Sequence, residues 1–236
     1  MTEAAEFSTS SLKELFFPRH CIVCDDVLEP GCMHICPGCM ADLPLTYFWD
    51  WVQNPQFERV AGRVQIESAA SLFYFRKEAG YSRILYSIKY QGNRRLGQEM
   101  GMMLGDRLAE SRFFDTVDAI VPVPLHPLRH WRRGYNQAEI IAQGIARAMD
   151  RPLVNDVVRR VKRTTTQTRR HAAQKGLNVK DAFAPNRVVA EKMTDDAVGH
   201  ILIVDDVLTS GSTLCECAKV LLPYFKVSIA SLAFVE

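Results

Sequence analysis

The sequence predicts an α/β domain on a parallel sheet flanked by helices, preceded by a small cysteine-rich module. Three observations carry this expectation. From Ser68 onward, strand-like runs alternate with helical ones, the pattern of successive βαβ units. The runs VDAIVPVP and HILIVDDV are largely apolar without alternation, as strands covered on both faces are. The first 60 or so residues are rich in Cys, Pro and Trp, show no sustained period, and hold five of the seven cysteines between Cys21 and Cys39.

Taken in order, SAASLFYF (Ser68 to Phe75) reads as a strand. Helices are expected around Ser82 to Tyr90 and Leu96 to Ala109, the second with Met100, Met103, Leu104 and Leu108 on one face. VDAIVPVP is a strand ending at Pro122 and Pro124, followed by a helix with Ala138, Ile141, Ala142, Ile145 and Met149 at helical spacing. HILIVDDV gives a buried strand with its acids at the carboxyl end, and TSGST a tight turn. A helix with Leu214, Ala218, Leu221 and Leu222 follows, and VSIASLAFV closes the chain as a strand. The expected division is 1–60 for the cysteine segment, its core about 18–45, and 61–236 for the larger domain.

With 236 residues and 47% hydrophobic content, the chain can fill one substantial core and leave residues for an appendage. A net charge of +2 gives no global field of the kind that marks nucleic-acid coats or membrane-surface proteins. No apolar run approaches the roughly 18 residues needed to span a bilayer, and MTEAAEFSTSSLKELFF lacks the regions of a secretory signal. A cytoplasmic location without membrane insertion is therefore expected. In that reducing compartment clustered cysteines read as metal ligands rather than disulfides.

Chemistry concentrates in ILIVDDVLTSGST, Ile201 to Thr213. Gly211 lets backbone approach an anion, the hydroxyls and N–H groups donate to phosphate oxygens, and the helix start adds a positive dipole. Asp205 and Asp206 suit paired hydroxyls and a divalent cation, so a ribose phosphate with Mg2+ meets both demands. A cap by Asp205 on an ordinary helix start is the plainer use of the same residues.

Val121 to Glu139 supplies the complementary charge with His126, Arg129, His130, Arg132 and Arg133. Its prolines at 122, 124 and 127 remove N–H donors, leaving the amides of Val123 and Leu125 for an anion. Val157 to Lys180 carries eight Lys or Arg residues, Arg163 and Lys175 among them, and no acid. It reads as a surface loop able to close over a diphosphate or to contact nucleic acid.

Cys21, Cys24, Cys36 and Cys39 form two C-x-x-C pairs, the spacing of a closed tetrahedral structural zinc site in a zinc-ribbon-like module. Cys32 and His34 stay open as replacement ligands. Cys215 and Cys217 read as helix residues near a core face, and Trp49 and Trp51 as packing of the module on the larger domain, with base stacking as the other use.

The thirteen residues Ile201 to Thr213 resemble the ribose-phosphate signature of type I phosphoribosyltransferases. Together with the cysteine pairs, IKYQGN (Ile88 to Asn93), VPVPLHPLRHWRRGYNQ and the Gln167, Asn178, Phe183 spacing, they make the chain resemble the ComF-type competence proteins, which are amidophosphoribosyltransferase-like. Two departures stand out: Arg170 where the family usually has an apolar residue, and Lys175 where it usually has Arg.

The resemblance implies binding of 5-phosphoribosyl-1-pyrophosphate (PRPP). Asp205 and Asp206 would hold the ribose hydroxyls, and Thr209, Ser210, Gly211, Ser212 and Thr213 would wrap the 5-phosphate. Val123, Leu125, Arg132 and Arg133 would face the pyrophosphate, and Asp205, Asp206, Arg163 and Lys175 are the candidate catalytic residues. It also implies a role in natural transformation, with single-stranded DNA and a helicase or DNA-processing protein as partners. A non-catalytic PRPP-binding docking module is the competing expectation. A zinc-containing DNA-binding regulator is the third, and the near-neutral charge counts against it. The acceptor and the oligomeric state are not legible in the sequence.

Overall fold

The computed structural model describes residues 18–77, 79–125, 134–161 and 181–236. Its central sheet contains Ala69–Phe75 (β1), Ala119–Pro122 (β2), His200–Leu208 (β5) and Lys226–Val235 (β6), ordered β1-β6-β5-β2 with every pairing parallel. Val158–Arg160 (β3) and Phe183–Pro185 (β4) form a separate antiparallel ribbon. The helices are Pro37–Ala41 (α1), Pro55–Ala61 (α2), Ser82–Tyr90 (α3), Arg94–Glu110 (α4), Gln137–Met149 (α5), Arg187–Asp195 (α6) and Ser212–Leu221 (α7).

The four strands of the central sheet and α3, α4, α5 and α7 lie where the hydrophobic periods predict them, whereas α1, α2, α6 and the β3–β4 ribbon have no counterpart among the expected elements. β5 continues through Asp205 and Asp206 to Leu208, because Val207 and Leu208 still pair with Ala233 and Phe234 of the ten-residue β6. The acids therefore sit within the last residues of the strand, held by its ladder. A difference from expectation is at Val157 to Arg160, read from the sequence as part of a surface loop. Val157 and Val158 are buried and β3 pairs with β4, so two valines among the arginines decide the local structure. Residues 162–180 lie outside the described residues.

Topology places the site. After β2 the chain returns through α5 to Leu153, which bridges Ile120 on the outer side of β2, whereas after β5 it returns through α7 to β6 on the opposite side. The two connections diverge, and a crevice opens between the carboxyl ends of β2 and β5, the usual ligand position in open parallel sheets.

The cysteine segment shares one continuous core with the sheet, in which Cys21, Ile35 and Leu43 join Phe73, Leu104 and Ile203. Leu45 bridges Phe73 antiparallel, and Tyr74 donates its N–H to the Pro44 carbonyl at 2.8 Å, so the segment also covers the β1 edge. Asn54, fully buried, caps α2 by accepting from the Phe57 N–H at 2.9 Å, and its amide donates to the Ala69 carbonyl at 2.8 Å. Trp49 is buried as expected of packing, whereas Trp51 is exposed.

α4 and α5 touch backbone to backbone. A Cβ at Gly144 would lie 2.2 Å from the Gln98 carbonyl oxygen, and one at Gly101 2.3 Å from that of Ile141. No side chain can yield at such a contact, so the helices would have to separate. Gly144→Ala is expected to lower stability by about 2–3 kcal/mol, while Gly38→Ala, with open space around it, changes it by less than about 0.5 kcal/mol. Urea unfolding midpoints of the two variants check this.

Candidate functional site

Where β2 and β5 end, an open cleft of about 250 Å³ is lined by Asp205, Asp206, Thr209 and Thr213 on one side and Val123, Pro124 and Leu125 on the other. Lys89, Asn136 and Arg160 complete its wall. Two sequence segments far apart in the chain are thus brought to one cavity.

The acids are half-buried and differ in their partners. Asp205 accepts from the Asp206 N–H through Oδ1 at 2.8 Å, and Asp206 pairs with the Lys89 ammonium at 3.0 Å. Burial, with the neighbouring Asp206 charge, raises the Asp205 carboxyl from 3.8 to about 7, although the Asp206 N–H, Lys89 and Arg160 oppose the shift. Lys89 sits in the last turn of α3, whose Ile88 carbonyl accepts from the Tyr135 hydroxyl. Arg94 stacks 4.8 Å above the Tyr135 ring and donates to the Gly134 carbonyl at 3.2 Å. The end of α3 and the start of α4 therefore lock onto Gly134 and Tyr135 beside the acids.

Val123 lines the cleft, but its amide is not available to an anion. It donates to the Val204 carbonyl at 2.8 Å, continuing the β2–β5 ladder by one residue beyond Pro122. The Val123 carbonyl in turn accepts from the Asn136 amide at 3.0 Å, and Asn136 also caps α5. This corrects the expected use of the Val123 N–H, leaving Leu125 at that wall.

At the turn, Gly211 has φ +71°, a conformation that favours glycine, and the Ser210 and Ser212 hydroxyls stand 3.0 Å apart. Thr209 and Thr213 face the cleft, while Ser210 to Ser212 form the tip. Arg132, Arg133, Arg163 and Lys175 lie outside the described residues, as do His126, Arg129 and His130.

Cys21, Cys24, Cys36 and Cys39 bring their four sulfurs within 4.8 Å of one another. The Cys24 and Cys36 sulfurs are 3.8 Å apart, the edge of a tetrahedron with metal–sulfur distances of about 2.3 Å. The Cys36 N–H points at the Cys21 sulfur at 3.3 Å and the Cys39 N–H at the Cys36 sulfur at 3.4 Å. Burial raises the Cys21 thiol, but the N–H groups of Cys24, Cys36 and Val23 outweigh it and pull it down to about 6. Burial and the crowding thiols push Cys39 up. Such a cluster could hold a metal ion. His34 instead binds Glu99 of α4 at 2.8 Å, and Cys32 stands outside the cluster.

Residues 100–235 match the family model described as the phosphoribosyl transferase domain. The chain belongs to that family. Among relatives of this phosphoribosyltransferase-domain protein, Competence protein F of Haemophilus influenzae is 43% identical over 104 residues, 44% of each chain. The DNA utilization protein YhgH of Escherichia coli is 39% identical over 105 residues, 44% of this chain and 43% of its own. The matched stretch thus spans less than half the length of these curated relatives. They support the ComF-type resemblance. The glutamine PRPP amidotransferase from B. subtilis complexed with ADP and GMP aligns over 57% of this chain and 26% of its own, with 19% identity and a TM-score of 0.36. Among the described residues no helix is long and apolar enough to cross a membrane.

Sequence reasoning missed Lys89 and Asn136, and counted Arg160 only as one charge of a basic loop. Lys89 closes a helix and Asn136 precedes one, so each reads locally as a terminal residue. Only the fold brings Lys89 to Asp206.

Asp205 also makes stability depend on pH. Its native carboxyl keeps a proton up to about pH 7, whereas the unfolded chain releases it near 3.8, so folding loses stability as pH rises between those values. Asp205→Asn is expected to stabilise the ligand-free protein by roughly 2 kcal/mol at pH 8, the full shift being discounted for partial solvation, and to give no gain below about pH 4. Denaturant unfolding at pH 4 and pH 8 measures the difference.

Proposed function

We propose that the cleft binds PRPP with Mg2+ and transfers its phosphoribosyl group to a nitrogen acceptor. The observation that carries this reading is the convergence on one cavity of an acid pair and a hydroxylated glycine turn. Asp205 and Asp206 would accept from the ribose 2- and 3-hydroxyls, and Thr209 to Thr213 would donate to the 5-phosphate. Leu125, Arg132 and Arg133 would face the pyrophosphate, with Arg163 and Lys175 closing over it.

Mg2+ suits the hard oxygen donors of the acids and of the ligand's phosphates, and would supply charge neutralisation to the leaving pyrophosphate. In the transfer, the bond from the anomeric carbon to pyrophosphate oxygen breaks as the bond to nitrogen forms. Pyrophosphate leaves with the electron pair, and the nitrogen releases a proton. The residues contribute positioning and electrostatics, since the leaving group is already good once its charge is held.

The cysteine cluster is proposed to hold one structural Zn2+ through Cys21, Cys24, Cys36 and Cys39 within a unit spanning 1–60, the transferase-like domain being 61–236. The names Competence protein F and DNA utilization protein support a role in competence and DNA use; single-stranded DNA and a helicase or DNA-processing protein are the partners we propose for it.

Two measurements test these readings. Calorimetric titration with PRPP and Mg2+ is expected to show binding by the parent protein and a loss of about tenfold or more in Asp206→Asn, from one charge-assisted contact. No heat in the parent removes the ligand assignment, and binding without pyrophosphate release in the presence of amines or bases makes the site a sensor. Elemental analysis is expected to give one zinc per chain, retained in Cys32→Ser and lost in Cys36→Ser.

A further inference from the structure

The signature turn contains no cation of its own, yet α2 and the residues just after it bring two guanidinium groups against it. Arg59 donates to the Thr209 carbonyl at 2.9 Å and to the Val235 carbonyl, and its guanidinium lies 4.2 Å over the Phe234 ring. Arg63 donates to the Ser210 carbonyl, to the Ser212 hydroxyl at 3.3 Å and to the Arg59 carbonyl at 2.9 Å. A Cβ at Gly211 would stand 3.0 Å from the Arg63 guanidinium, which therefore rests directly on the turn.

Among the described residues neither arginine pairs with a carboxylate. Their partners are neutral oxygens, and the two charges repel each other; burial, and after it that repulsion, lowers the Arg59 pKa. An uncompensated positive pair beside a turn of hydroxyls and N–H groups has an anion as its complement. Arg63 is exposed, so an incoming ligand can reach it, whereas Arg59 is half-buried and held on three sides.

We propose that Arg63, braced by Arg59, is a specificity-determining cation for the phosphate monoester end of the ligand, so that the cleft selects 5-phosphorylated ribose over its 5-hydroxyl counterpart. This deepens the PRPP reading and rests on it. The signature turn alone offers neutral donors, and Arg63 adds a positive charge against it.

Titration of PRPP with Mg2+ into the parent, Arg63→Gln and Arg63→Lys tests the assignment. The Gln variant is expected to bind about 10- to 100-fold more weakly, the range for losing a charged hydrogen-bonded contact. The Lys variant keeps the charge and is expected within about fivefold of the parent. Failure of the parent to bind PRPP overturns this inference together with the reading beneath it. A parent that binds and a Gln variant within twofold of it overturn this inference alone. A Lys variant as weak as the Gln variant also overturns it, because Arg63 would then act only as a clamp on the Ser210 carbonyl.

Discussion

Two carboxylates held side by side at the half-buried end of β5 are the constraint around which the rest of the site is arranged. Adjacent acids repel, and partial burial strengthens that repulsion. The fold answers on two sides. Lys89 neutralises Asp206 directly, and Arg160 stands in the same wall. What remains is a carboxyl at Asp205 that holds its proton to about neutrality. A ligand that presents hydroxyl groups and carries its own cation relieves this tension, which is why the arrangement suits an activated sugar phosphate.

Holding that arrangement requires parts of the chain that have no chemistry of their own. The backbone contact of α4 with α5 seats the start of α5, where Asn136 ties the Val123 carbonyl, and Tyr135 ties the end of α3. On the far side, Asn54 joins the amino-terminal segment to β1 and caps α2, from which and from just beyond which Arg59 and Arg63 grip the Thr209 to Thr213 turn. The cysteine segment and the sheet thus meet across a shared core, and the link between them ends at the Thr209 to Thr213 turn.

Much of this was legible because period and chemistry agreed. The apolar spacing from Ala138 to Met149 defines α5 in full, and every member of that set is buried. The two C-x-x-C pairs bring four sulfurs together as the spacing implies, and the His34 alternative fails because a glutamate on a distant helix captures that ring. Reading was less successful where local character misled. Val123 looked like an anion donor because prolines flank it, but the β5 backbone had already engaged its N–H.

By itself, the sequence determined the main elements of the larger domain, the parallel sheet, the cysteine cluster and the identity of the acid and hydroxyl groups, since these follow from hydrophobic period and from functional groups close together in the chain. Tertiary structure alone decided which cations meet the acids and the turn. Lys89 and Arg59 sit on helices and Arg63 just after one as unremarkable basic residues, and nothing local distinguishes them from solvated ones. Their roles arise from long-range packing, which places a charge within 3 Å of a partner more than a hundred residues away.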